Sequence, residues 1–179
     1  MRLFLYISIS FYFFISLLFA EETRQVDKHE HGVSELNIAI QSNTMVLEFM
    51  IPGADIVGFE YEAKSEQDKA TVNAALTKFD DYNNIFIIPT NSKCLLVSSK
   101  ININQEDDHD EHQEEAHNEF YAKYTFECGD IKSLDLLEFP YFETFSNYGE
   151  LEVQFVSEIG STSFEVEADS PIINIEGKI

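Results

Sequence analysis

Two cysteines flank a hairpin pattern and limit how this chain can fold. Cys94 precedes a run rich in β-forming residues, 95–104, and Cys128 follows a second such run, 118–127. A Cys94–Cys128 disulfide would close the open end of the hairpin, and the chain-entropy account gives about 4 kcal/mol of stabilisation for a loop of this length. The sequence therefore predicts a disulfide-stapled hairpin with a polar segment, 105–117, as a flexible loop at its tip.

The register of this hairpin stays open. If Cys94 and Cys128 lay directly opposite each other, a regular ladder would turn the apolar side chains of the two strands to opposite faces of the sheet. The apolar side chains are Leu95, Val97, Ile101 and Ile103 on the first strand, and Phe120, Tyr124 and Phe126, which we expect in the core, on the second. Either a β-bulge shifts the register or the two strands are not immediate neighbours.

The first twenty residues are typical of a secretory signal peptide. Arg2 gives a positive start, residues 3–19 form an unbroken run of apolar and hydroxyl side chains, and Ala20 is a small residue before an acidic pair. We expect cleavage after Ala20 and a single mature domain, 21–179. An uncleaved membrane anchor is the alternative, because Leu18 is large for its position before the cleavage site. Export would place the two cysteines in an oxidising compartment, which favours a disulfide.

The chain is strongly acidic. Its formal net charge is −22 at pH 7, and loss of Arg2 with the signal peptide would make it −23. Nucleic acid is excluded as a partner by charge repulsion, whereas cations are favoured. Membrane contact is expected only through the signal sequence before cleavage. Patterned apolar runs distinguish the mature chain from a disordered acidic tail.

The rest of the chain combines alternating apolar runs with one helical pattern. The alternating runs are residues 33–41, 44–51, 151–157 and 163–167, with a tight turn at Ser42 and Asn43 between the first two. A helix is predicted to begin at Ser65, capped by the side chain of that residue. Its apolar stripe would comprise Val72, Ala75, Leu76 and Phe79. The sequence predicts an α+β fold, an antiparallel sheet with one main helix packed on it.

All five histidines lie in two short acidic segments, 29–31 and 107–117. Imidazole and carboxylate groups bind borderline divalent cations, and two histidines one residue apart point the same way on an extended strand. The segments therefore predict a metal site. The alternative is a solvated run of charges in which histidines occur by chance. The candidate ligands are His29, His31, His109, His112, His117, Asp108, Asp110, Glu111 and Glu115.

The motifs favour binding over catalysis, so we do not expect an enzyme. The histidine spacings lack the metalloprotease pattern of two histidines four residues apart on a helix. The sequence also lacks a glycine-rich phosphate loop, a nucleophile elbow and a cysteine–histidine nucleophile arrangement. An acidic adaptor that docks a partner without a specific metal role remains the alternative from another functional class.

Several segments, taken in order, resemble the ZrgA-type zinc-regulated periplasmic zinc-binding proteins. These segments are residues 29–37, 52–60, Cys94, the histidine-rich insert, residues 119–128 and residues 151–154. The resemblance implies a periplasmic protein of a Gram-negative bacterium that binds zinc and assists zinc uptake, with the insert as its principal site. A zinc transporter component is the partner that this role would suggest. The insert carries carboxylates at many places where the family loops have histidine.

The choice of zinc rests mostly on this resemblance, because imidazole also suits copper, nickel and cobalt. A tetrahedral zinc ion needs about four ligands. His109, His112 and His117 could supply three of them, and a neighbouring carboxylate the fourth. His29 and His31 would form a second half-site, completed by Glu35, by water, by the insert or by another chain. For Glu35, a solvated strand carboxylate is an equally good interpretation.

Overall fold

The structure is a computed structural model that describes residues 32–105, 118–147 and 149–179. Eight strands are described: β1 Val33–Gln41, β2 Thr44–Pro52, β3 Cys94–Gln105, β4 Asn118–Cys128, β5 Leu136–Glu138, β6 Glu150–Ser157, β7 Gly160–Val166 and β8 Ile172–Asn174. The helices described are α1 Gly53–Val57, α2 Glu66–Asp80 and α3 Tyr141–Thr144, with single 3-10 turns at Tyr82–Asn84, Thr90–Ser92 and Ile131–Ser133. Six strands form one sheet in the order β3-β4-β2-β1-β6-β7, and β5 pairs with β8 in a second.

The predicted fold class is wrong, because the main sheet is mixed and the domain is mostly β. β1 pairs antiparallel with β2 but parallel with β6, with Leu36 opposite Val153. α1 and α3 contain 5 and 4 residues, and α2 contains 15. Alternating apolar residues determine which face of a strand is buried, but they determine neither its neighbour nor its direction. The parallel pairing of two strands that lie far apart in sequence therefore had no local signal.

The first hairpin agrees with its prediction. Leu36, Ile38 and Ile40 alternate with more exposed residues along β1 and are buried against the core. Ser42 takes a left-handed conformation at φ 54° in the two-residue turn that leads to β2. A positive φ at such a turn matches the right-handed twist of the flanking strands.

Helix α2 begins where the sequence predicts. The Ser65 hydroxyl accepts a hydrogen bond from the backbone N–H of Asp68 at 3.0 Å, which satisfies one of the free donors of the first turn. Val72, Ala75 and Phe79 are buried. The Phe79 ring stacks on Phe120 of β4, with ring centroids 6.0 Å apart, so this helix contributes to the aromatic core. Within the described ranges, no helix is long and apolar enough to cross a membrane.

The disulfide-stapled hairpin is confirmed, and a bulge resolves its register. Cys94 is bonded to Cys128, and the two residues lie directly opposite each other. The ladder shifts by one residue between Leu96 and Ser98, so that Val97 is the extra residue on β3. Beyond the bulge, the apolar residues of β3 return to the core face. Ile101 lies opposite Ala122 and Ile103 opposite Phe120, and both isoleucines pack against the core.

Candidate functional site

The predicted metal ligands lie outside the described residues. This holds for His29, His31, His109, His112 and His117, and for Asp108, Asp110, Glu111 and Glu115. The predicted signal peptide, 1–20, also lies outside them. In the part of the chain that the structure describes, no group of three or more histidine, cysteine, aspartate or glutamate side chains is placed to hold a metal ion. The structure instead describes the strand ends to which the two histidine-bearing segments are attached.

Both segments are attached at the same end of the main sheet. The insert leaves β3 after Gln105 and returns to β4 at Asn118, and these residues lie opposite each other. Pro52 at the end of β2 lies opposite Glu119, next to this point. Because β1 and β2 are antiparallel, the start of β1 at Val33 lies at the same end. We call this the insert end, defined by Val33, Pro52, Gln105 and Asn118.

The register places the two attachment points close together across the sheet. β1 is separated from β4 by one strand, β2. Neighbouring strands lie about 4.8 Å apart, so the starts of β1 and β4 are roughly 10 Å apart. A short extension of the chain before Val33 would span this distance, because an extended chain covers about 3.3–3.6 Å per residue.

Asn118 anchors the return of the insert to the sheet. It is 4% exposed, its backbone N–H donates to the Glu60 carbonyl at 2.7 Å, and its side-chain amide donates to the Tyr61 carbonyl. Gly53 permits this packing, because a Cβ there would lie 2.6 Å from the Phe59 carbonyl oxygen and 2.9 Å from that of Asn118. The position at which β4 begins is therefore fixed by buried polar contacts.

The start of β1 is fixed by a buried polar network that the sequence analysis missed. The Ser34 hydroxyl donates to Oδ2 of Asp55 in α1 at 3.1 Å and lies 3.1 Å from the hydroxyl of Tyr141 in α3. All three residues are buried, with Asp55 3% exposed. Burial raises the pKa of Tyr141, the Asp55 charge adds to this, and the hydrogen bond with Ser34 opposes it. The position of Ser34 in the buried row of Leu36 and Ile38 is the signal that could have revealed this network.

A row of three glutamates crosses the other part of the sheet near the insert end. Glu35 of β1 lies opposite Glu152 of β6, and Glu152 lies opposite Glu165 of β7. All three alternate with inward-facing residues, so they occupy the outer face. Like charges directly opposite each other on neighbouring strands are destabilising. The row therefore keeps this face strongly negative, in accord with the net charge of the chain.

Lys123 and Glu48 form a pair of opposite charges on the same outer face. The Lys123 ammonium group lies 2.5 Å from the carboxylate of Glu48, its cross-strand partner. The hydrogen bond and the charge of Glu48 raise the pKa of Lys123, and desolvation opposes this shift. The pair is partly exposed to solvent, which weakens its contribution to stability.

A groove of about 490 Å³ lies beside the insert end. Its lining consists of Glu62, Ala63, Lys69, Val72, Asn73, Ile103 and Asn118. The described lining mixes apolar groups with two asparagines, one acidic side chain and one basic side chain. A divalent cation needs several oxygen or nitrogen ligands at one point, and the described lining residues include a single carboxylate.

These features define a disulfide-bonded, mostly β protein with two segments rich in metal-ligating residues attached to one end of its sheet. A family model described as "ZrgA family zinc uptake protein" matches residues 28–175, and the chain belongs to this family. The match confirms the resemblance noted in the sequence and assigns a role in zinc uptake. A comparison with curated proteins found no match.

Proposed function

We propose that this protein is a periplasmic zinc-binding protein that captures zinc and assists its uptake through the histidine- and carboxylate-rich insert. Membership of a zinc uptake family supports the metal and the process. The observation that carries the proposal is the common attachment of both histidine-bearing segments to the insert end of the sheet. The common attachment supports the proposal that the two segments supply ligands to the same region.

In this proposal the insert supplies the principal ligands. His109, His112 and His117 provide three imidazoles, and a nearby carboxylate completes a four-ligand set. The candidates for that carboxylate are Asp108, Asp110, Glu111 and Glu115. Zinc is the first choice of metal, and other divalent transition metals would also bind imidazole.

His29 and His31 form the second half of the proposed site. They precede Val33 by four and two residues. The starts of β1 and β4 are roughly 10 Å apart, which is within the reach of four extended residues. The pair can therefore contribute to the ion held by the insert or bind a second one. The negative outer face around Glu35 and Glu152 would favour the approach of a cation to this end.

Export to the periplasm completes the proposal. The Cys94–Cys128 disulfide suits an oxidising compartment, and residues 1–20 have the pattern of a signal peptide. A zinc transporter component is the partner to which captured zinc would pass.

Calorimetric titration of the exported protein with zinc tests the proposal. Three proteins are compared: the parent, a variant in which residues 106–117 are replaced by a glycine–serine linker of equal length, and a control variant with Asp135→Asn and Glu176→Gln, two exposed acidic residues outside the insert end. We expect tight binding in the parent and the control, and its loss in the linker variant. Equal zinc affinity in all three would refute the insert as the principal site, and absence of binding in the parent would favour the acidic adaptor.

A further inference from the structure

One long stretch of this acidic chain carries no acidic residue. The protein contains 33 Asp and Glu residues in 179, yet residues 82–105 contain none and include Lys93 and Lys100. Strand β3 occupies the second half of this stretch and is an edge strand of the main sheet. The charged side chains that β3 itself and the residue before it contribute to this edge are therefore basic, and Glu127 of β4 lies opposite Leu95.

Three consecutive apolar side chains are exposed on this edge. Leu95 is 74% exposed, Leu96 40% and Val97 61%. We call these residues the β3 patch. Single exposed apolar residues are normal on a protein surface, but a contiguous group on a strand edge is typical of an interaction surface.

The β3 patch lies on an outer edge of the main sheet as the structure describes it. β4 is the strand that pairs with β3, and no other described strand pairs with its outer edge. The Cys94–Cys128 disulfide fixes the strand immediately before the patch. A strand edge with free backbone groups can bind an extended peptide by β-strand addition. Because the edge is already ordered, less conformational entropy is lost on binding.

Two lysines flank the β3 patch without a described ion-pair partner. In the described part of the chain, neither Lys93 nor Lys100 forms a salt bridge. The Lys100 ammonium lies 5.8 Å from the centre of the Tyr121 ring, and its cross-strand neighbour is Lys123, which is paired with Glu48. The edge thus presents an apolar centre between two positive charges.

The charges argue against a second copy of the chain as the occupant of this edge. Antiparallel self-pairing of the two β3 edges around the patch would bring Lys93 of each copy close to Lys100 of the other. Like charges directly opposite are destabilising, and the net charge of −22 on each copy adds repulsion. An occupant with acidic residues at both ends would instead complement the two lysines.

We propose that the β3 patch binds an extended segment of a partner protein by β-strand addition, and that this segment has apolar side chains between two acidic residues. The apolar side chains cover Leu95 and Val97, and the acidic residues pair with Lys93 and Lys100. This surface is independent of the proposed zinc site, because none of its residues is a candidate metal ligand.

A synthetic peptide tests the proposal on the intact exported protein. The probe has seven residues, with glutamate at each end and the sequence Thr-Val-Thr-Val-Thr between them, so that the valines share a face with both glutamates. Its termini are acetylated and amidated. Titration is followed by backbone amide NMR spectra of the ¹⁵N-labelled protein. We expect saturable shifts confined to residues 93–100 and their neighbours on β4. A peptide with lysine in place of both glutamates should bind at least tenfold more weakly.

Variants identify the surface that binds the probe. Leu95→Ser with Val97→Ser should weaken binding at least tenfold while the spectrum keeps its native dispersion. Val156→Ser removes an apolar side chain that is 50% exposed on β6, and it should leave binding unchanged. Absence of localised shifts in the parent, or equal binding of the lysine peptide, would overturn the proposal. Sedimentation that shows dimerisation abolished by the two β3 substitutions would also overturn it, in favour of a second copy.

Discussion

Cys94 and Cys128 lie directly opposite each other in the β3–β4 ladder, at the end of the hairpin away from the insert, and are joined by a disulfide. The bond therefore fixes the base of the hairpin and lies far along the strands from Gln105 and Asn118, where the insert is attached. Its contribution to stability should be separable from metal binding.

Replacing both Cys94 and Cys128 with serine should lower thermal stability and preserve zinc binding. The chain-entropy account gives about 4 kcal/mol for a loop of this size, which corresponds to a fall in melting temperature of roughly 8–15 °C for a domain of this length. Thermal unfolding followed by circular dichroism measures the change, and calorimetry measures zinc affinity. Two reactive thiols in the native parent would contradict the disulfide.

The buried network at the start of β1 should respond differently to the loss of each member. Asp55→Ala removes the buried carboxylate that accepts a hydrogen bond from the Ser34 hydroxyl, and should cost about 1–3 kcal/mol of unfolding free energy. Tyr141→Phe removes one hydroxyl and should cost about 1 kcal/mol. Tyr121→Phe, on the partly exposed face of β4, is the control. Urea unfolding in which all three variants match the parent would show that the network contributes nothing.

The buried tyrosines should make the protein lose stability at alkaline pH. Burial raises the pKa of Tyr124 and of Tyr141 above their value in the unfolded chain. The folded state therefore holds these two protons more tightly than the unfolded state does. The stability that this difference contributes is fully present below about pH 10 and is lost as the pH rises further. Urea unfolding between pH 9 and pH 11.5 should show a falling free energy. The decline should be shallower in Tyr124→Phe, and an equal slope in parent and variant would contradict this assignment.

Much of the local structure could be predicted from the sequence because it depends on neighbouring residues. Alternation along β1, the cap at Ser65 and the cysteines at the hairpin base each have a local signal, and each prediction was confirmed. For the hairpin register, the sequence allowed either a bulge or two strands that are not neighbours. The observed pairing of β3 with β4 contains the bulge, at Val97. The parallel pairing of β1 with β6 depends on residues more than a hundred positions apart, so periodicity could not reveal it.

The sequence names candidate metal ligands, whose role stays a prediction, but it does not show where the segments that carry them join the fold. Their spacing along the chain identifies His29 and His31 as a pair. More than seventy residues lie between this pair and the insert in the sequence. The strand order brings both attachment points to one end of the sheet. Ser34, Asp55 and Tyr141 come from three elements, so their association could not be read from the sequence.

The row of glutamates should limit stability at low salt. Glu152 lies between Glu35 and Glu165, so Glu152→Gln removes two cross-strand repulsions. We expect stabilisation of about 0.2–1 kcal/mol at low ionic strength, and less at 0.5 M salt because exposed charges are screened. Glu66→Gln is the control, because it removes an attractive contact with Lys69 and should not stabilise. Destabilisation by Glu152→Gln would show that the repulsion is offset in the native protein.

The proposed zinc ligands predict a specific dependence of affinity on pH. Replacement of His109, His112 and His117 with glutamine leaves oxygen ligands in the insert, which suit harder cations and bind zinc less tightly. We expect a loss of at least tenfold in zinc affinity for this triple variant and a smaller loss for His29→Gln with His31→Gln.

Protons compete with zinc for imidazole, whose usual pKa is about 6.5, so the affinity of the parent should fall as pH drops from 7.5 to 5.5. The triple variant should show a much weaker dependence over this range, because carboxylates titrate at lower pH. Calorimetric titrations at both pH values measure these differences. Equal affinities in the parent and the triple variant would remove the insert as the principal site, and a large loss confined to the His29 and His31 variant would assign that role to the segment before β1.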